Sequence, residues 1–102
     1  MAPIKLDTYL QDIKKLCTRC KVKHLYAFGS VLTDKFNAKS DVDFMVDFEQ
    51  VAIEEYADNY YDLKFSLEKI LNRPIDLLEE KAVKNPYFKQ VVDGQRRLIY
   101  GY

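Results

Sequence analysis

The chain has 102 residues, 16 Lys+Arg against 16 Asp+Glu, no formal net charge, and 48% hydrophobic residues. That length builds one core with no room for a second, so residues 1–102 are expected to form a single domain. Balanced charge argues against a non-specific nucleic-acid binder, which carries a basic excess, and no run approaches the span of a bilayer. The N-terminus has no signal-peptide core, so a cytoplasmic location is expected, without membrane contact and without direct nucleic-acid binding.

Leu6, Tyr9, Leu10, Ile13, Leu16, Cys17 and Cys20 recur at helical spacing with Lys, Asp and Gln between them. This predicts an amphipathic helix from Asp7 to Arg19, capped by Asp7 or by the Thr8–Gln11 capping box. Cys17-x-x-Cys20 with His24 four residues on must be weighed as a metal site. A structural zinc needs four ligands, however, and the chain offers no second Cys/His pair. The thiols are therefore read as reduced and partly buried.

Lys21-Val22-Lys23 reads as a connector and His24 to Phe28 as the first strand, ended by Gly29-Ser30. Val31 to Phe36 is expected to form a short helix whose free N–H groups point over Gly29, with residues 37–40 as loop. Asp41 to Phe48 is the second strand. The short connection makes it antiparallel to the first, or its neighbour across a small helical excursion. Alternation puts Val42, Phe44, Val46 and Phe48 on one face, and Asp41, Asp43, Met45 and Asp47 on the other.

Ile53, Tyr56, Ala57, Tyr60, Leu63, Leu67, Ile70 and Leu71 predict a long helix ending near Asn72-Arg73-Pro74. Pro74 to Leu78 is a third strand with Asp76 in its middle. Residues 79–81 are polar punctuation. Ala82 to Asp93 contains a helix that restarts at Pro86 and is closed by Gly94, and Arg97 to Tyr100 adds a terminal strand. This order indicates an α/β or α+β domain, a small mixed sheet flanked by helices. Tyr56 and Tyr60 read as core, whereas Tyr61, Tyr100 and Tyr102 are candidates for an interface.

Asp41 and Asp43, alternate residues on one strand, stand roughly 6–7 Å apart with side chains on the same face. Nucleotidyl transfer uses divalent metals roughly 3.5–4 Å apart, bridged by carboxylates. Asp76, on a neighbouring strand, could supply a third ligand or accept the proton of the attacking group. Gly29 lets a triphosphate lie against the backbone, and the Ser30 hydroxyl and nearby N–H groups can donate to it. Asp47 lies roughly 13 Å beyond Asp43 and reads as solvated or supporting. Singly, Asp-x-Asp is often a solvated edge and Gly-Ser mere turn punctuation. Together, with a third acidic strand, they point to a metal-nucleotide site.

Gly29-Ser30, ten residues, then Asp41-x-Asp43 resembles the signature of the DNA polymerase β-type nucleotidyltransferase superfamily. Leu25-Tyr-Ala-Phe-Gly-Ser, Ser40-Asp-Val-Asp-Phe and Pro74-Ile-Asp-Leu-Leu in so short a chain resemble its minimal members. The resemblance implies a polymerase β palm-like fold, two Mg2+ ions on Asp41, Asp43 and Asp76, and a nucleotide, usually ATP, at Gly29, Ser30 and Ser40. It implies attack of a hydroxyl on the α-phosphorus with loss of pyrophosphate. It also implies a HEPN-domain partner, an RNase toxin that the nucleotidyltransferase neutralises by adenylylating a tyrosine. With no extra domain to grip nucleic acid or an antibiotic, the acceptor is expected to be presented by that partner. One departure stands out: family members commonly carry Arg after Gly-Ser, and here the turn is Val31-Leu32-Thr33-Asp34, with Lys35 or Lys39 as possible compensation. The alternative expectation is therefore a catalytically weak or inactive member that neutralises its partner by binding alone.

Overall fold

The computed structural model describes residues 6–29, 41–50 and 52–101. In chain order these form α1 (Leu6–Arg19), β1 (Val22–Phe28), β2 (Val42–Phe48), α2 (Ile53–Leu71), β3 (Ile75–Glu79), a 3-10 turn (Glu80–Ala82), α3 (Pro86–Gln95) and β4 (Arg97–Tyr100). The expected mixed sheet flanked by helices is present. The short helix expected at 31–36, the loop at 37–40, the turn at 31–34, Ser30, Lys35, Lys39, Ser40 and Tyr102 lie outside the described residues.

Local chemistry sets the element ends. α1 closes with the Cys20 N–H on the Leu16 carbonyl at 2.9 Å, and Lys21 at φ 59° reverses the chain. β1 then starts at once, so Lys21-Val22-Lys23 is no connector: Val22 is buried and pairs with Phe48. Asn72 ends α2 at φ 54°, a left-handed conformation that Asn tolerates, and its N–H bonds the Glu68 carbonyl. Asn85 caps α3, its Oδ1 accepting from the Tyr87 N–H at 2.9 Å and the Phe88 N–H at 3.2 Å, with Pro86 in the first turn. Gly94 does not close α3. The helix runs through it to Gln95, and the Arg96 N–H bonds the Val92 carbonyl.

The sheet order is β3-β2-β1-β4. β1 runs antiparallel to β2 and β4, while β2 and β3 are parallel, joined by α2 as the crossover. Val42, Phe44, Val46 and Phe48 pack with Ile13, Leu16, Leu63 and Leu67 of α1 and α2. Cys17 and Cys20 are fully buried in this same cluster. Burial, and then each other's proximity, pushes the Cys17 thiol up to about 12; burial, and then Asp62, takes Cys20 up to about 11. On the opposite face α3 covers a smaller cluster of Phe28, Met45 and Val92, flanked by Tyr26, Leu78 and Val83. No helix among the described residues is long and apolar enough to cross a membrane.

Candidate functional site

Three strand ends meet at one edge of the α3 face. Across the antiparallel pair Phe28 faces Asp43, and across the parallel pair Asp43 faces Asp76. Partners in neighbouring strands lie about 4.8 Å apart and share a face, so the Asp43 and Asp76 carboxylates stand side by side. Asp41, two residues before Asp43, falls on that face by alternation. The three acids singled out from sequence thus come from the starting ends of β2 and β3, next to the finishing end of β1.

Their electrostatics follow from this placement. Burial, then Asp76, then Asp41 raise the Asp43 carboxyl above its ordinary value of 3.8. No ion pair to Asp41, Asp43 or Asp76 forms among the described residues. Nor do three ligating side chains converge into a ready cage among those residues; Asp76 lies across from Asp43 and Asp41 lies along β2 from it. Hard carboxylate oxygens that repel one another fit a hard divalent cation such as Mg2+, which keeps several waters and needs few protein ligands.

Gly29 ends β1 at φ +78°, a conformation that costs a residue with a Cβ. A Cβ built there would lie 2.5 Å from Asp43 Oδ2. Glycine is needed twice at this position, for the turn and to leave room for the Asp43 carboxylate. The sequence suggested close approach of a phosphate; the space next to Asp43 emerges only from the pairing of β1 with β2.

Asp47 stands apart, separated from Asp43 by the buried Met45. Its carboxylate lies 3.5 Å from His24 Nδ1 and 3.9 Å from Lys81 Nζ, so it is half-buried and supporting rather than solvated. Tyr56 and Tyr60 pack against the core as expected, and they do more. The Tyr56 hydroxyl donates to Glu79 and the Tyr60 hydroxyl donates to the Leu77 carbonyl at 2.5 Å. Both tie α2 to β3, the strand that carries Asp76. Burial, and then Asp76, raise the Tyr60 phenol. Tyr61 is exposed and stacked on Phe65. Tyr100 is not a free surface: it packs at the core margin with its hydroxyl 3.1 Å from Thr18 Oγ1. Phe28 was missed as a site residue. Its ring meets Phe88 of α3 edge-on at 6.3 Å, and its place just before Gly29 in an alternating strand was the available signal.

Residues 11–99 match the family model described as a nucleotidyltransferase domain. A Methanocaldococcus jannaschii protein, provisionally named a protein adenylyltransferase, is 36% identical over 87 residues, 85% of this chain and 84% of its own. A solved structure provisionally named a minimal nucleotidyltransferase superposes with a TM-score of 0.75 at 25% identity over 90% of each chain. A complex of tri-AMPylated Shewanella oneidensis HEPN toxin with MNT antitoxin shares the fold, with a TM-score of 0.66 at 21% identity. That likeness covers 96% of this chain and 74% of the other.

Proposed function

The chain belongs to the nucleotidyltransferase domain family, and from that premise we propose that it moves AMP from ATP to a tyrosine hydroxyl of a HEPN-domain partner, acting in the cytoplasm as the antitoxin of that partner. The observation that carries the reading is the register of Asp43 beside Asp76, with Gly29 leaving room for the Asp43 carboxylate. The relative named as a protein adenylyltransferase and the fold neighbour solved with an AMPylated HEPN toxin support the acceptor class. Residues 1–102 work as one domain.

Asp41, Asp43 and Asp76 would hold two Mg2+ ions, which supply positive charge to the triphosphate and make the attacking hydroxyl more acidic. Gly29, Ser30 and Ser40 hold the triphosphate, Gly29 by letting it approach the backbone and the serines by donating to its oxygens. The phenolic oxygen bonds to that phosphorus, the bond to the pyrophosphate oxygen breaks, and the phenolic proton passes through a carboxylate oxygen of Asp76 to water. Tyr56 and Tyr60 keep β3, and so Asp76, in register.

The test is transfer of label from α-labelled ATP to the HEPN-domain protein encoded beside this chain, with wild type and Asp43→Asn in parallel. Labelling by wild type that the substitution abolishes supports the reading. Equal labelling by both, or none with a verified partner, overturns it. A second reading, neutralisation by contact alone, is favoured by the sequence Val31-Leu32-Thr33-Asp34, which lacks the Arg expected after Gly29-Ser30. It requires that an Asp41/Asp43 double variant still neutralise the partner without ATP.

A further inference from the structure

We infer that the exposed side of α3, with Tyr87, Phe88 and Val91 as an apolar ridge and Lys84 just ahead of the helix as its basic end, is the surface on which the acceptor protein docks; this rests on the transfer reading above. The occupant is one protein of stated chemistry, an acceptor presenting an apolar patch edged by carboxylates next to the hydroxyl it offers.

α3 is thinly anchored. Of its ten residues only Val92 is buried, while Tyr87 is 80% exposed and Val91 55%. Tyr87 and Val91, four apart, share one helical stripe with Phe88 at its edge. An apolar stripe of this kind facing water marks a contact surface more often than a free one. The ridge also runs into the site. Phe88 sits edge-on to Phe28, and Phe28 is the cross-strand partner of Asp43. A protein held on the ridge therefore lies next to the carboxylates.

The other exposed aromatic pair, Tyr61 and Phe65, belongs to α2, and α2 covers the opposite face of the sheet. A partner docked there would have its hydroxyl on the wrong side. Charge favours the same choice of ridge. Lys84, exposed three residues before Tyr87, forms no ion pair among the described residues, whereas the site itself is a cluster of acids that repels an acidic approach. A lysine at the N-terminal end of the ridge gives an acidic-edged partner its attraction and its orientation.

The experiment measures binding of the neighbouring HEPN-domain protein by calorimetry, and AMP transfer at rising partner concentration. The variants are Tyr87→Ser, Val91→Ser, Lys84→Glu and Phe65→Ser. All replace exposed side chains, and circular dichroism checks that each folds. Expected are a Kd and a KM for partner raised about tenfold or more for Tyr87→Ser and Val91→Ser, with kcat at saturating partner and the KM for ATP unchanged. The Lys84→Glu variant should slow association and flatten its salt dependence, and Phe65→Ser should behave as wild type. Ridge variants that bind like wild type, or a Phe65→Ser variant that binds as weakly as they do, overturn the docking surface. If wild type binds the partner without transferring AMP, the transfer reading fails while binding still decides the ridge.

Discussion

Asp62 behind the sheet and Asp43 in front of it are held in opposite ways. Behind the sheet, where α1 and α2 close the main cluster, Asp62 is matched by the protein itself. Arg19 donates to it from Nε at 3.1 Å and from Nη2 at 2.9 Å, and Ser66 and Cys20 also donate to it. Burial works against its charge, but the hydrogen bonds from Arg19, Cys20 and Ser66 hold its carboxyl below the ordinary value. In front, burial and then the like charges of Asp76 and Asp41 raise the Asp43 carboxyl. The back of the molecule is optimised for stability. The front tolerates repulsion at a place where an incoming cation and phosphate would relieve it, the usual trade between stability and function.

Substituting the front carboxylate is the strongest way to break this contrast. Asp43→Asn should lower AMP transfer by about a hundredfold or more while leaving the melting temperature equal to or above that of wild type. A clear drop in melting temperature would mean that Asp43 is structural after all. Next in size come the two cores. Leu67→Ala, at a fully buried back position, should cost about 2–5 kcal/mol in denaturant unfolding, against about 1–2 kcal/mol for Val92→Ala in front. Equal costs would deny that the back cluster carries more of the stability.

Gly29→Ala joins the two properties. It forces a Cβ into the left-handed region and against Asp43 Oδ2, so a loss of about 1–3 kcal/mol should accompany a loss of transfer. Transfer at the wild-type rate would show that the Asp43 carboxylate does not need this space. The smallest effects are in pH dependence, where the two acids should slope in opposite directions. Asp43 binds its proton more tightly folded than unfolded. Wild type should therefore gain stability relative to Asp43→Asn as pH falls from neutral through the raised value toward 3.8. The contribution of Asp62 is fully present above 3.8 and is lost as pH falls through its lowered value, so wild type and Asp62→Asn should converge in acid. Melting curves of the three proteins across that range check both signs.

Much of the site was legible in the sequence. That Asp41 and Asp43 share a face follows from the period of a strand, and that α1 and α2 are helices follows from apolar spacing; both are set by local backbone geometry. The family resemblance lay in the same short motifs. Local signals failed where packing outweighed them. Val22 joins β1 because Phe48 pairs with it, α3 runs through Gly94, and Tyr100 is held against Thr18 instead of facing a partner.

By itself, then, the sequence singled out the candidate site residues: two acids on one strand, a third on another, and a glycine at the end of the first strand. Only the tertiary structure decided that β3 lies parallel and next to β2 with Asp76 beside Asp43, that the Asp43 carboxylate occupies the space a Cβ at Gly29 would fill, and that α3 leaves its aromatic side open beside them. The reason is physical. Periodicity is a property of neighbouring residues, whereas strand order and register are settled by burying distant segments against one another.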